Sequence, residues 1–276
     1  MAITAADVNK LRQQTGAGMM DCKNALVEAN GDFEAAIDIL RKKGQKIAAK
    51  RGGNDAKEGV ILAQATADGT AGVILTLNCE TDFVAKNDGY VSLVQSLVDI
   101  ALTNLPESVE ALKALPYDSR LSVDEKITEQ IGVIGEKLDL SGYAVVRAAN
   151  VVAYNHPGNQ LATLVGLTIA GEEVAEAGRQ VAMQVAAMAP IAINKDGVDE
   201  RTIEREIEIG KELAIQEGKP ADMAEKIAMG RLNKFFQENT LLSQAFVRDN
   251  KMSVEQFLNS TASGLTVSDF QRFSLS

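Results

Sequence analysis

Histidine is almost missing from this sequence. His156 stands alone, which excludes any metal site built from several imidazoles. Its setting, His156-Pro157-Gly158-Asn159, reads as a turn, and a turn is not where a catalytic-triad base is held. Trp is absent and aromatic residues make up 4% of the chain, too few for a base-stacking or sugar-binding surface. The two cysteines, Cys22 and Cys79, lie far apart with no Cys-x-x-Cys pairing, so neither a disulfide framework nor a zinc site is expected. A reducing, cytoplasmic setting fits them. Met1-Ala2-Ile3-Thr4 carries no signal or transit pattern, and no apolar run approaches the length of a membrane span.

Nucleotide-binding motifs are missing too. Gly16-Ala17-Gly18 lacks the spacing and the Lys-Ser/Thr pair of a phosphate-binding loop, and Asp21 stands where a dinucleotide fingerprint needs its third glycine. Carboxylates are plentiful but fall on helices as solvated faces. With no catalytic constellation, metal or cofactor expected, the chain reads as a binding protein and not an enzyme.

What is present is an ordinary globular composition, 46% hydrophobic and 24% charged, over 276 residues, enough for two or more compact units. The net charge of −10 is unevenly spread. Residues 1–53 hold nine Lys or Arg against six Asp or Glu, a balance of +3 that leaves −13 for the remainder. An acidic body repels phosphate backbones, so nucleic acid is not an expected direct partner. The basic run of Arg41, Lys42, Lys43, Lys46, Lys50 and Arg51 is read as a helix C-terminus favoured by the dipole, running into a solvated linker.

Periodicity organises the chain into an α+β protein. Residues 1–53 read as three short helices. Thr4 with Asp7 caps the first, Asn30-Gly31 ends the second, Asp32 caps the third, and Gly44 is expected to stop it. Two strand-strand-helix units follow. In the first, residues 60–66 and 73–80 are strands turning at Asp68-Gly69, and 89–102 is a helix. In the second, 145–154 and 161–169 are strands turning at His156-Pro157-Gly158-Asn159, and 172–188 is a helix. Residues 106–140 read as helical and acidic. After Pro190, charged helices at 198–216 and 221–239 break at Gly218-Lys219-Pro220. Ile203, Ile207 and Leu213 of one are expected to face Met223, Ile227, Leu232 and Phe235 of the other across an antiparallel hairpin. That hairpin can meet a partner, pair with a second copy to make a homodimer, or lie against its own core. In the tail, Leu265-Thr266-Val267 is expected to return a strand to the second unit. The implied division is 1–53, 54–141, 142–190 with 240–276, and an insertion at 191–239.

The most informative stretch is Thr81-Asp82-Phe83-Val84. It ends a strand in which Val73, Leu75, Leu77 and Cys79 share one face while Thr76, Asn78 and Glu80 share the other, so one buried face is expected. A carboxylate and a phenyl ring then stand side by side in polar surroundings, Lys86-Asn87-Asp88-Gly89. A loop at a strand end is where scaffolds present working residues. The competing expectation is that Phe83 packs into its own core.

Leu11-Arg12 followed by Thr15-Gly16-Ala17-Gly18-Met19-Met20-Asp21-Cys22-Lys23 closely resembles the opening signature of the bacterial translation elongation factor Ts family. The run from Asn78 to Lys86 resembles that family's second signature. Gly218-Lys219-Pro220 with Ala224-Glu225-Lys226 and Gly230-Arg231 resembles its helical-hairpin insertion. The resemblance implies a ubiquitin-associated-like N-terminal domain, a two-part α+β core and an inserted antiparallel coiled coil. It also implies a nucleotide exchange factor acting on GDP-bound and nucleotide-free elongation factor Tu, without a cofactor. Within it, Thr81, Asp82, Phe83 and Val84 match the loop that disturbs the partner's magnesium site. Phe83 is then the wedge between partner helices, and Asp82 lies near the magnesium. Arg12, Met19 and Met20 match N-terminal contacts to the GTPase domain. Ile134-Gly135 matches the pair that approaches the phosphate loop, with Ile131-Gly132 as the neighbouring alternative. His156 matches a contact in the second hairpin, although Pro157 precedes the expected glycine. Many relatives carry a further C-terminal helical module, and the end at Ser276 leads to an expectation of weaker binding. The rival reading from a different class is an adaptor whose three-helix domain binds peptides or ubiquitin-like partners, which leaves the Asp82-Phe83 loop unexplained. An unrecognised hydrolase is a further rival, opposed by the lone histidine and the missing motifs.

Overall fold

The computed structural model describes residues 3–275, the side chains of residues 221 and 222 apart. Met1, Ala2 and Ser276, which the sequence reading includes in its terminal units, lie outside the described residues. In chain order the elements are α1 (Ala5–Thr15), α2 (Met19–Glu28), α3 (Phe33–Arg51), β1 (Glu58–Ala65), β2 (Ala71–Cys79), α4 (Asp82–Ala85), α5 (Asp88–Asn104), α6 (Val109–Ala114) and α7 (Val123–Ile134). Next come β3 (Asp139–Arg147), β4 (Asn150–Asn155), β5 (Leu161–Leu167), α8 (Glu172–Met188), α9 (Glu200–Gln216) and α10 (Ala221–Asn239). The chain closes with β6 (Ala245–Phe246), β7 (Asp249–Ser253), α11 (Val254–Thr261) and β8 (Val267–Ser274).

Local chemistry sets the first helices. The Thr4 hydroxyl accepts from the Asp7 N–H at 3.2 Å while the Asp7 carboxylate accepts from the Thr4 N–H at 2.9 Å, a reciprocal cap. Asp32 caps α3 by accepting from the Ala35 N–H. Val8, Leu11, Cys22, Leu26, Ala36 and Ile37 form the shared core of α1 to α3.

Gly44 does not end α3, which continues to Arg51. The residue is glycine because another helix lies against it. A Cβ on Gly132 of α7 would stand 2.7 Å from the Gly44 Cα, and a Cβ on Gly44 would stand 3.2 Å from the Thr128 carbonyl oxygen. The close crossing of α3 on α7 outweighs the weak helix propensity of glycine. Much of the basic run therefore lies on a continuous helix, where Arg41 pairs with Glu125 and Lys43 with Asp21.

Two antiparallel three-stranded sheets, ordered β1-β2-β3 and β4-β5-β8, make the centre of the molecule. They stack back to back through Ile61, Ile74 and Val146 of one and Val151, Ala162 and Leu164 of the other. Helix α5 covers the outer face of the first sheet with Tyr90, Val94, Leu97 and Val98. Helix α8 covers the second with Val174, Val181 and Val185. The result is a helix-sheet-sheet-helix layering. The second sheet also closes the free edge of β1: the Asn155 side-chain amide pairs with both backbone groups of Ala63, and the Ile61 N–H donates to the Asn159 carbonyl at 2.7 Å.

Two sequence readings are corrected here. Strand β2 is buried along its whole length and not on one face, because its second face meets the other sheet. Residues 145–154 are not one strand. β3 ends at Arg147 and pairs with β2, whereas β4 starts at Asn150 and pairs with β5, so the chain changes sheets at Ala148-Ala149. In the tail, β8 does return to the second sheet, pairing along β5.

Helices α9 and α10 pack on each other across the Gly218-Lys219-Pro220 break. The centre of their seam is made of small residues, Gly210, Ala214, Ala224 and Ala228, and Leu232 is buried with them as expected. Leu213 and Met223, expected in that seam, are instead exposed. The helices approach so closely at Gly210 and Ala228 that larger side chains are turned outward. Among the described residues, no helix is long and apolar enough to cross a membrane, and no cluster of His, Cys, Asp and Glu is placed to hold a metal ion.

Candidate functional site

β2 ends at Cys79 and α5 begins at Asp88, leaving residues 80–87 to carry the chain from sheet to helix. They do so through the single turn of α4. Thr81 caps it, its hydroxyl accepting from the Val84 N–H at 3.4 Å, and the Ala85 and Lys86 N–H groups donate to the Thr81 and Asp82 carbonyls. Val84 and Ala85 pack on the core beneath α5. With those two positions committed to the core, Phe83 falls on the outer side of the turn and is 84% exposed. The expectation of a core-packed ring is therefore not met. Beside it, Asp82 accepts from Lys86 Nζ at 2.6 Å, and that hydrogen bond holds its carboxyl below the usual carboxylate range.

The exposed ring borders a cleft of about 440 Å³ whose walls come from two separate parts of the chain. Phe83, Val84 and Tyr90 form one wall, and Gln130, Val133 and Ile134 of α7 form the other. Tyr90 anchors the floor by donating its hydroxyl to the Leu77 carbonyl at 2.8 Å. The neighbouring Cys79 thiol points to the Thr81 carbonyl, and burial pushes its pKa up to about 11. It is a protonated packing group and not a nucleophile.

Two carboxylates lock the walls together. Helix α7 closes at Gly135 with φ +82°, a conformation suited to glycine, and Glu136 follows. The Glu136 carboxylate accepts from the Glu80 N–H at 3.1 Å, the Thr81 N–H at 3.0 Å and the Thr81 hydroxyl at 2.7 Å. In return, Glu80 accepts from the Lys137 N–H at 2.6 Å, from Arg51 at 2.8 Å and from Asn54 at 3.0 Å. The Lys137 N–H, helped by Asn54 and Arg51, holds the Glu80 carboxyl below its ordinary range. Lys137 Nζ also donates to the Gly52 and Asn54 carbonyls.

The fold thus brings Thr81, Phe83 and Val84 together with Ile134 and Gly135. Of the two Ile-Gly pairs, Ile134-Gly135 is the more accessible, with Ile134 half-buried and lining the cleft. Ile131 is buried, and Gly132 is pressed on Gly44. Arg12 is exposed in the last turn of α1, and Met19 and Met20 are 51% and 64% exposed at the start of α2. Thr15 and Ala17, beside the α1–α2 turn, share a small hollow with Gly132 and Val133, and Val133 also lines the Phe83 cleft. The N-terminal turn therefore borders the end of α7 that carries Ile134. His156 is not part of this cluster. It is exposed on the β4–β5 turn, its Nδ1 2.8 Å from the Tyr154 hydroxyl, and it does not line the cleft.

Sequence reasoning missed Gln130, Val133, Glu80 and Glu136. The first two are ordinary positions on an amphipathic helix. Glu80 lies within the Asn78–Lys86 signature run but has no role marked there, and Glu136, one of 38 acidic residues, reaches partners more than fifty residues away, so no local pattern marks it.

Comparison with known proteins places the chain in a family. A sequence model of the family described as Elongation factor TS matches residues 80–276. Elongation factor Ts of Amoebophilus asiaticus (strain 5a2) is 56% identical over 273 residues, covering 99% of this chain and 98% of the relative. Elongation factor Ts of Christiangramia forsetii is 51% identical over 273 residues, with 99% and 98% covered. The counterpart from Cytophaga hutchinsonii is 51% identical over 275 residues, with 99% of both covered. With the family match spanning most of the chain and relatives this similar over nearly all of it, the chain belongs to the elongation factor Ts family.

Proposed function

We propose that this protein is a guanine nucleotide exchange factor for elongation factor Tu, acting in translation elongation by binding and not by covalent chemistry. The observation that carries this reading is Phe83, held 84% exposed beside a cleft it shares with Ile134. In this reading the Thr81–Val84 loop disturbs the magnesium site, with Phe83 wedged between partner helices and Asp82 near the magnesium. Ile134-Gly135 approaches the phosphate loop, and Arg12, Met19 and Met20 touch the GTPase domain. His156 makes a separate contact from the second hairpin. A GTPase holds GDP through phosphate-loop amides and magnesium together. A factor that binds the emptied state better than the GDP-bound state loosens nucleotide by the factor by which nucleotide loosens it. GTP then fills the emptied site.

The proposed organisation follows the same lines. Residues 1–53 form a ubiquitin-associated-like unit, and α9 with α10 form the inserted coiled coil at 191–239. The remainder forms the two core halves, the first extended from residue 141 to Arg147 by the pairing of β3 with β2. Membrane is not among the proposed partners, and the acidic body supports none with nucleic acid.

The test is stopped-flow release of a fluorescent GDP analogue from elongation factor Tu. Burying one Phe is worth about 1.5–3 kcal/mol, or roughly ten- to a hundredfold in an equilibrium or rate. The chain is expected to accelerate release saturably, and Phe83→Ala to slow that release by a factor in this range. An unchanged rate from a folded Phe83→Ala protein sinks the wedge role.

A further inference from the structure

We propose that Glu136 is a positioning residue that sets the shape of the 81–84 turn and fixes it to the Ile134-Gly135 end of α7, so that Phe83 and Ile134 are presented as one surface. Its consequence for activity rests on the exchange-factor reading above, whereas the geometry stands independently of it.

A helix of one turn has too few internal hydrogen bonds to hold itself, so α4 needs outside support. Part comes from Val84 and Ala85 on the core. The rest comes at its N-terminal side, where the Glu80 and Thr81 peptide N–H groups and the Thr81 hydroxyl all donate to Glu136. Hydrogen bonds to an ionised carboxylate are stronger than neutral ones, and three converge here on one side chain. The same hydroxyl oxygen accepts from the Val84 N–H, so Glu136 orients the group that caps the turn.

The second carboxylate makes the link reciprocal. Glu136 binds backbone of the segment that contains Glu80, and Glu80 binds backbone of the segment that contains Glu136. Neither segment can slide past the other without breaking both sets. Arg51, Asn54 and Lys137 tie the end of α3 into the same junction. Glu136 does not line the cleft, so its effect must pass through the residues it holds.

Two measurements decide the matter. In the free protein, Glu136→Ala is expected to speed amide hydrogen exchange at Glu80, Thr81 and Val84 about tenfold or more, as loss of charge-assisted hydrogen bonds implies. The amides of α5 should stay as protected as in the parent. Glu136→Gln keeps one acceptor oxygen but loses the charge and the second acceptor, so it is expected to give an intermediate loss of protection, about threefold, and that loss carries the same comparison if Glu136→Ala fails to fold. Protection at those amides equal to the parent in a folded Glu136→Ala protein overturns the proposal.

With elongation factor Tu, Glu136→Ala is expected to lower the maximal rate of GDP release about tenfold. Phe83→Ala combined with Glu136→Ala should then lose clearly less than the product of the two single effects, because Glu136 acts in large part through Phe83. Multiplying effects would mean that Glu136 acts elsewhere and would overturn the proposal. If the parent protein accelerates nothing, the exchange-factor reading falls, and the amide-exchange result still decides whether Glu136 holds the turn.

Discussion

The two halves of the core repeat the order strand, strand, helix, yet they treat the link from second strand to helix in opposite ways. After β5, residues 168–171 lead directly to α8. Thr168 is tied to Thr266 at the approach to β8, and Ile169 packs against the core. After β2, residues 80–87 are longer, wind through α4, and present Phe83 to solvent. The same topological position thus holds an apolar side chain inward in one half and outward in the other. Burying an apolar residue is the default, since it is favourable and needs no further support. A ring held outward by a capped turn and a carboxylate clasp departs from that default, and the departure marks the site.

The comparison can be broken by exchanging the roles of stability and activity. Ile169→Ala is expected to lower stability by about 1–3 kcal/mol, the range for a partly buried large-to-small change. Phe83→Ala should stay within about 0.5 kcal/mol, as an exposed substitution does. Denaturant melts of the two variants, set beside their GDP-release rates, check this. A Phe83→Ala protein as destabilised as Ile169→Ala would erase the distinction between the links.

A smaller effect sharpens the functional side. Asp82→Ala is expected to slow GDP release roughly threefold when magnesium is present, in keeping with the modest worth of an exposed charge, and to have little effect in chelator. An equal defect in both conditions would separate Asp82 from the magnesium site.

An effect on stability alone concerns the floor beneath the turn. Burial raises the Cys79 thiol from its ordinary value of 9.0 to about 11. Between those values the unfolded chain has released this proton and the folded chain still holds it, so stability falls as pH rises from about 9 to about 11. Below that window Cys79 contributes no pH dependence. Denaturation midpoints of parent and Cys79→Ala should therefore show an extra alkaline loss in the parent alone.

Much of this molecule was legible along the chain. The Thr4–Asp7 cap, the Asp32 cap, the strand-strand-helix order and the break at Gly218-Lys219-Pro220 rest on interactions within a few residues, and such interactions are written in local sequence. The signature runs around Met19 and Phe83 point to the family from sequence alone. Less legible were the features whose partners are remote. Gly44 looks like a helix stop until Gly132 is seen against it, and residues 145–154 look like one strand until β3 and β4 are seen in different sheets. In the hairpin seam Leu232 is buried as its spacing suggests, but Leu213 and Met223 are exposed, since how closely two helices approach decides which side chains fit between them.

By itself, then, the sequence determined most of the elements, the Thr4 and Asp32 caps, the family and the stretch that carries the candidate site. Only the tertiary structure decided that both faces of β2 are buried, that Phe83 points outward, and that Ile134 and Glu136 stand beside its turn. Periodicity and capping act over one or two turns of chain. Burial and carboxylate hydrogen bonds instead depend on groups more than fifty residues away, and only the folded chain brings those together.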